Sequence, residues 1–151
     1  MKIKEIEKTY KEKVYVAVDG KEFKNEADCK EWENSYKCTI KQSFDKLPKM
    51  RVDGVGLAFP DAHSDDDVLV VEPESLNDIA LINAYVQAFI DDGDAMLMDT
   101  TYIGKKVVLN FGDSNEYFSF VLFDDLIKHF NRYVACVNKN FTKSNPIEKA
   151  E

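Results

Sequence analysis

Three stretches of the chain place apolar residues at three- and four-residue steps, over 26–47, 76–90 and 123–141. This spacing gives a helix one apolar face that another element must cover. Two short β-rich runs precede each stretch, and turn residues separate several of these runs, which favours antiparallel pairing. The sequence therefore predicts an α+β fold: a single domain, mostly antiparallel sheet, with about three helices packed against it.

The chain has 151 residues, of which 44% are hydrophobic and 12% aromatic. That is enough for one packed core and too little for two well-stabilised domains. We expect a single domain over residues 1–141. Residues 142–151 are polar and contain Pro146, so we expect a frayed C-terminal tail there.

Local signals place the individual elements. Asp19-Gly20 follows a β-branched run and predicts a tight turn, and Asn25 is a suitable N-cap for a helix that continues to Leu47, just before Pro48. The apolar run 68–71 predicts a strand buried on both faces. Ser75 and Asp78 resemble a capping box before the most apolar helix, which we expect to be central. The runs 100–111 and 116–123 predict a hairpin.

Charge is distributed unevenly. Residues 52–100 contain 12 Asp and Glu and no Lys or Arg, whereas the whole chain has a net charge of −8. A protein that contacts phosphates needs the opposite sign, so we expect no direct nucleic-acid binding. An uncompensated acidic block suits a basic protein partner, because opposite potentials steer encounter and exclude wrong partners.

A loop within this block is the best candidate for a metal site. Asp61, His63, Asp65, Asp66 and Asp67 could surround a hard divalent cation. Their spacing departs from the calcium-binding loop pattern, because no glycine stands at the sixth position and the twelfth, Glu72, falls within a predicted strand. A solvated acidic loop is the favoured interpretation, and we expect no bound metal.

Nothing in the sequence points to catalysis. The three cysteines, Cys29, Cys38 and Cys136, lie on or beside the predicted helix stripes, and free cysteines in such positions usually serve as small core residues. Cys29 and Cys38 are nine residues apart on one predicted helix, which would place them on opposite faces and exclude a disulfide between them. We expect no enzymatic activity and no cofactor.

The segment that begins at the Asp-Gly turn carries one resemblance. Its pattern, Asp19-Gly20-x-x-Phe23-x-x-Glu26-x-x-Cys29-x-x-Trp32-Glu33, resembles the opening of many small phage- and prophage-encoded proteins of uncharacterised function. The pattern covers about 15 residues and has a structural explanation in a tight turn, an aromatic beneath it and a helix stripe. The resemblance implies an origin in a phage or mobile element, whose small accessory proteins often bind and disable host machinery.

The favoured hypothesis is a non-enzymatic acidic interaction protein that inhibits a basic, nucleic-acid-handling or defence protein of the host. The predicted partner-binding residues are acidic: Asp61, Asp65, Asp66, Asp67, Asp91, Asp92 and Asp94. A second hypothesis is a protein that sequesters a nucleotide-like ligand, with aromatic and basic side chains as its binding residues: Trp32, Tyr36, Arg51, Lys105 and Lys106. A third is a metal-dependent hydrolase that uses the 61–67 loop.

Location and assembly complete these expectations. The N-terminal residues lack the apolar stretch of a secretion signal, and no stretch approaches 18 consecutive apolar residues. We therefore expect a protein of the host cytoplasm that has no membrane contact. A homodimer is compatible with the sequence.

Overall fold

A computed structural model describes residues 11–52 and 66–141. These residues form four α-helices and two antiparallel sheets, one of two strands and one of four. The predicted α+β class is thereby confirmed. Backbone contacts divide the chain into two compact units, with the boundary in the sequence between Lys46 and Leu47.

The first unit begins with a short hairpin. Strands β1 (Tyr15–Val16) and β2 (Glu22–Phe23) pair antiparallel, with Tyr15 opposite Phe23. Gly20 sits at the turn with φ 85°, a conformation that glycine adopts without the clash a side chain would cause. The Ala17 amide donates to the Lys21 carbonyl at 2.8 Å and closes the turn. The Asp-Gly signal is confirmed.

Two helices follow where the sequence predicted one. Helix α1 covers Glu26–Glu33 and helix α2 covers Tyr36–Lys46. Asn25 caps α1 as predicted, accepting a hydrogen bond from the Asp28 amide at 2.8 Å. The helix is interrupted because Ser35 caps the start of a second helix. Its Oγ accepts a hydrogen bond from the Cys38 backbone amide at 3.1 Å. The prediction of one continuous helix to Leu47 is therefore wrong.

The break also changes the argument about the cysteines. Cys29 lies on α1 and Cys38 on α2, so the two cysteines do not lie on opposite faces of a single helix. Both side chains are nevertheless free thiols and both are buried in the first unit, while Cys136 is a free, exposed thiol. The geometric premise of the prediction, a single helix carrying both cysteines, was therefore wrong.

The second unit is built on a four-stranded sheet in the order β3-β4-β5-β6. The strands are β3 (Lys49–Arg51), β4 (Asp67–Val71), β5 (Val107–Phe111) and β6 (Phe118–Leu122). Val71 pairs with Val107, and Phe111 pairs with Phe118. The predicted inner strand at 68–71 and the predicted hairpin are both present. The first arm of the hairpin is shorter than expected, because Thr100–Tyr102 form a 3-10 turn.

Helix α3 (Leu76–Phe89) covers one face of this sheet. Ser75 and Asp78 form the predicted capping box at its start. Ile82 and Val86 are 0% and 1% exposed, and Tyr85 meets Phe111 of β5 edge-on at 5.7 Å. All five residues of β5 are buried. The core of the second unit therefore lies between α3 and the central strands, as the sequence predicted for its most apolar helix.

Helix α4 (Phe123–Asn140) begins directly at the end of β6. Its Leu126 packs, half-buried, against the Val68 and Val108 cluster on the other face of the sheet. Every other residue of the helix is exposed. Among the described residues, no helix is both long and apolar enough to cross a bilayer.

Candidate protein-interaction surfaces

One end of the four-stranded sheet collects carboxylates from three separate parts of the chain. Here β4 begins, β5 ends and β6 begins, because Asp67 pairs with Phe111 and Phe111 pairs with Phe118. The loop after α3 joins them through the Asp91 amide, which donates to the Asn115 carbonyl at 3.2 Å. We call this region the acidic end; its carboxylates are Asp66, Asp67, Asp91, Asp92, Asp94, Asp113 and Glu116.

Asp66 organises the acidic end from within. Its carboxylate accepts hydrogen bonds from the Asn110 side-chain amide at 3.2 Å, from the Asp113 amide at 3.2 Å and from the Tyr117 hydroxyl. These bonds tie the start of β4 to the turn between β5 and β6. Asp66 therefore holds the loops in place, a role that the sequence did not indicate.

Asp67 is partly neutralised. Its carboxylate pairs with the Arg51 guanidinium of β3, and both side chains are more than half exposed. An exposed pair of this kind contributes little to stability. Its main effect is to lower the net negative charge beside β3.

The loop after α3 presents the three remaining predicted acids. Asp91, Asp92 and Asp94 are all exposed, and the Asp92 carboxylate accepts from the Asp94 amide at 3.0 Å, which fixes the turn. Beside them lies a pocket of about 220 Å³ whose lining includes Ile90, Leu97 and Asp92. Asp61 and Asp65 lie outside the described residues. The structure thus brings five of the seven predicted partner-binding residues to one end of one sheet.

The other end of the sheet has a mixed charge. A pocket of about 360 Å³ there is lined by three lysines and three carboxylates, namely Lys105, Lys106, Lys128, Glu72, Asp124 and Asp125. Lys128 pairs with Asp125 at 3.1 Å. Opposite charges at such distances largely cancel in the far field. The two ends of the sheet therefore differ in potential, and the acidic end carries the excess.

The residues proposed for a nucleotide-like ligand are distributed over different elements. Trp32 and Tyr36 belong to α1 and α2 in the first unit. In the second unit, Arg51 pairs with Asp67 of the acidic end, whereas Lys105 and Lys106 line the mixed-charge pocket. Within the second unit, the three cations therefore do not converge on one pocket.

Trp32 itself is held inside the first unit. Its Nε1 donates to Asp19 Oδ2 at 3.1 Å, and the Lys21 ammonium lies 3.6 Å from the centre of its ring. Desolvation opposes ionisation of Asp19, but hydrogen bonds from the Lys21 amide and Trp32, with the Lys41 charge, lower its pKa overall. The pattern from Asp19 to Glu33 therefore has a structural role, fastening the hairpin turn to the helices.

The described residues give little support for catalysis by a reactive thiolate or by a bound metal ion. Desolvation, followed by the charges of Glu33 and Asp19, raises the pKa of the Cys29 thiol, which disfavours the reactive thiolate. Among residues 11–52 and 66–141, no group of three or more His, Cys, Asp or Glu side chains could hold a metal ion. Asp61, His63 and Asp65 of the proposed metal loop lie outside those ranges.

A second candidate surface lies on α4, and the sequence did not predict that it would be an interaction surface. The apolar face of α4 consists of Phe123, Ile127, Phe130, Tyr133, Val134 and Val137, together with Phe141 at the C-cap, all of them exposed. Phe130 is 59% exposed, Tyr133 64% and Phe141 74%. The sequence predicted the helix and its apolar stripe correctly. It did not predict that the apolar residues after Leu126 would be exposed.

No family model matches the chain, and searches of curated proteins and of solved structures found no significant match either. The functional argument therefore depends on the geometry of these surfaces.

Proposed function

We propose that this chain is a non-enzymatic interaction protein that binds a basic surface of a partner protein through its acidic end. The observation that supports the proposal is the convergence of carboxylates from the start of β4, the β5–β6 turn and the loop after α3. Hydrogen bonds of Asp66 to Asn110 and Asp113, and of the Asp91 amide to Asn115, join these segments, so their charges add at one place with little entropic cost at binding.

The pocket beside Asp92 adds a contact of suitable chemistry. Ile90 and Leu97 provide apolar walls, and Asp92 lies among the lining residues. A lysine or arginine of the partner has an aliphatic stem and a charged head, which match such walls and such a carboxylate. We propose that the pocket receives one long basic side chain, while the surrounding acids steer the approach.

The biological setting follows from the resemblance of the Asp19–Glu33 segment to small phage and prophage proteins. We propose an accessory protein that acts in the host cytoplasm and inhibits a nucleic-acid-handling or defence protein. Proteins of that kind have basic surfaces for phosphate, and an acidic protein that occupies such a surface excludes the nucleic acid.

Two triple variants test the proposal. Asp91→Asn/Asp92→Asn/Asp94→Asn removes three charges from the acidic end, and Glu72→Gln/Asp124→Asn/Asp125→Asn removes the same number from the mixed-charge end. Tagged proteins are used to capture partners from host lysate, and each partner is then purified for affinity measurement at several salt concentrations. We expect the first variant to bind at least tenfold more weakly, with a shallower salt dependence, and the second to bind like the wild type.

Circular dichroism provides the control that both variants fold. Equal affinity of the two variants for the purified partner, or an affinity that does not change with salt, contradicts the proposal.

A further inference from the structure

Helix α4 carries more exposed apolar surface than a soluble monomer usually shows. A fully exposed aromatic side chain offers roughly 200 Å², so the seven side chains of its apolar face leave on the order of 700–800 Å² accessible. The largest apolar patch on a typical monomer covers about 300–600 Å² and is often an interaction site. We therefore expect the apolar face of α4 to be buried against another surface.

The spacing along α4 specifies what kind of cover fits. Six residues of the apolar face alternate strictly at steps of four and three, namely Phe123, Ile127, Phe130, Val134, Val137 and Phe141. This is the a/d repeat of a helix that pairs with another helix in left-handed, knobs-into-holes packing. Leu126 and Tyr133 lie one residue before Ile127 and Val134 and widen the face on one side, where Leu126 packs against the sheet of its own chain.

The positions that flank this repeat carry little charge. One flank has Asp124, Asn131 and Asn138, and the other has Leu126, Tyr133 and Asn140. In two-helix pairing, like charges at these positions would repel an identical helix, and opposite charges would select a different one. The charged residues Lys128, Arg132 and Lys139 lie outside both the repeat and its flanks. Nothing in the repeat or its flanks opposes an identical partner.

The area agrees with a dimer of ordinary size. Covering about 700–800 Å² on each of two copies buries roughly 1,400–1,600 Å² in total, within the standard range of about 1,200–2,000 Å² for a stable interface. The 18 residues of α4 provide a contact about 27 Å long. A two-fold axis would place the same face on both subunits, which suits a self-complementary apolar repeat.

We propose that the apolar face of α4 binds the same face of a second copy of this chain, giving a two-fold homodimer. The dimer presents two acidic ends. Because linked sites raise the effective concentration of the second contact, a dimer binds a multivalent basic partner more tightly than one copy does. The homodimer itself does not depend on the proposed basic partner, so each proposal can fail separately.

A pair of adjacent substitutions provides a matched test. Val134→Glu introduces a charge into the apolar face, whereas Ala135→Glu introduces the same charge one residue later, outside the repeat and its flanks. The purified full chain is examined by sedimentation velocity and by light scattering over concentrations from about 1 to 100 μM, because interfaces of about 1,600 Å² have dissociation constants from micromolar down to picomolar. We expect wild type and Ala135→Glu to be dimeric, and the dissociation constant of Val134→Glu to rise by on the order of 100-fold or more.

Far-UV circular dichroism separates loss of dimer from loss of fold. Val134 is exposed in the single chain, so we expect Val134→Glu to keep its helix content. If this variant unfolds, Phe130→Ser replaces it, with Arg132→Ser as the control on the charged face. Mixing copies with two different tags gives a second measurement: the tags co-purify in the wild type and separate in Val134→Glu.

Three results overturn the proposal. A wild-type chain that is monomeric at 100 μM shows that the apolar face of α4 does not pair with itself. A monomer that instead binds vesicles of anionic phospholipid shows that lipid covers it. A dimer of unchanged affinity in Val134→Glu shows that a different surface pairs. The Asp91→Asn/Asp92→Asn/Asp94→Asn variant should have the same oligomeric state as the wild type, because its substitutions lie outside α4.

Discussion

Helices α3 and α4 belong to the same unit and differ mainly in what covers their apolar faces. In α3 the apolar residues Ile82 and Val86 are almost fully buried against the sheet. In α4 the half-buried Leu126 packs against the sheet, whereas Phe130 and Tyr133 are more than half exposed. The comparison teaches that a 3.6-residue apolar pattern predicts a helix but leaves open whether its cover comes from the same chain.

The largest expected difference between the two helices is in stability. Ile82→Ala leaves a cavity beneath α3 and should lower the free energy of unfolding by about 3–5 kcal/mol. Phe130→Ala removes a larger side chain from an exposed site, so its cost to the single chain should be below about 1 kcal/mol. Urea unfolding at about 1 μM protein measures both losses of unfolding free energy. The unfolding of Val134→Glu at the same concentration provides the monomeric reference. Equal losses would mean that α4 is buried within its own chain.

A second expectation concerns the dependence of stability on protein concentration. If α4 pairs between copies, a tenfold increase in protein concentration should stabilise the wild type by about 1.4 kcal/mol per mole of dimer. Differential scanning calorimetry at several concentrations detects this as a rising Tm. The Ile82→Ala variant should keep the dependence although its Tm is lower, whereas Val134→Glu should lose it. A constant Tm in the wild type would remove the distinction between the helices.

The smallest expected effect concerns the helix ends. Ser75→Ala removes a cap that accepts from the Asp78 amide and belongs to a capping box, so it should lower the free energy of unfolding by about 1 kcal/mol. Helix α4 has no side-chain cap at Leu122, and only Asp124 and Asp125 favour its first turn. Asp124→Asn should therefore cost about 0.3–0.5 kcal/mol, measured by the same urea unfolding. Equal costs would show that both helix starts are held by packing.

Local signals in the sequence predicted most of the elements and failed at one place. The Asp19-Gly20 turn, the Asn25 cap and the Ser75 capping box each act within a few residues, so they could be recognised before folding. The break between α1 and α2 was missed because the apolar spacing continues across it. Ser35 was the available signal, since serine favours a helix start over a helix interior.

The candidate surfaces were predictable only in part. The lack of Lys and Arg between residues 52 and 100 predicted an acidic region, and Asp91, Asp92 and Asp94 are exposed in it. The internal role of Asp66 and the pairing of Asp67 with Arg51 were not predictable, because both depend on which strands become neighbours. The heptad spacing of α4 was present in the sequence, but it acquired meaning as an interface only when the helix proved exposed.

The α+β class, the hairpin turn, the helix caps and the excess of acid in the central third can be read from the amino-acid sequence alone. Each of these depends on residues close together in the chain, where propensity and hydrogen bonding act at short range. The three-dimensional fold is needed to establish which carboxylates gather at one end of the sheet and which apolar face remains exposed. Those outcomes depend on long-range strand pairing, which brings Asp66 beside Asp113 and leaves every residue of α4 except Leu126 exposed.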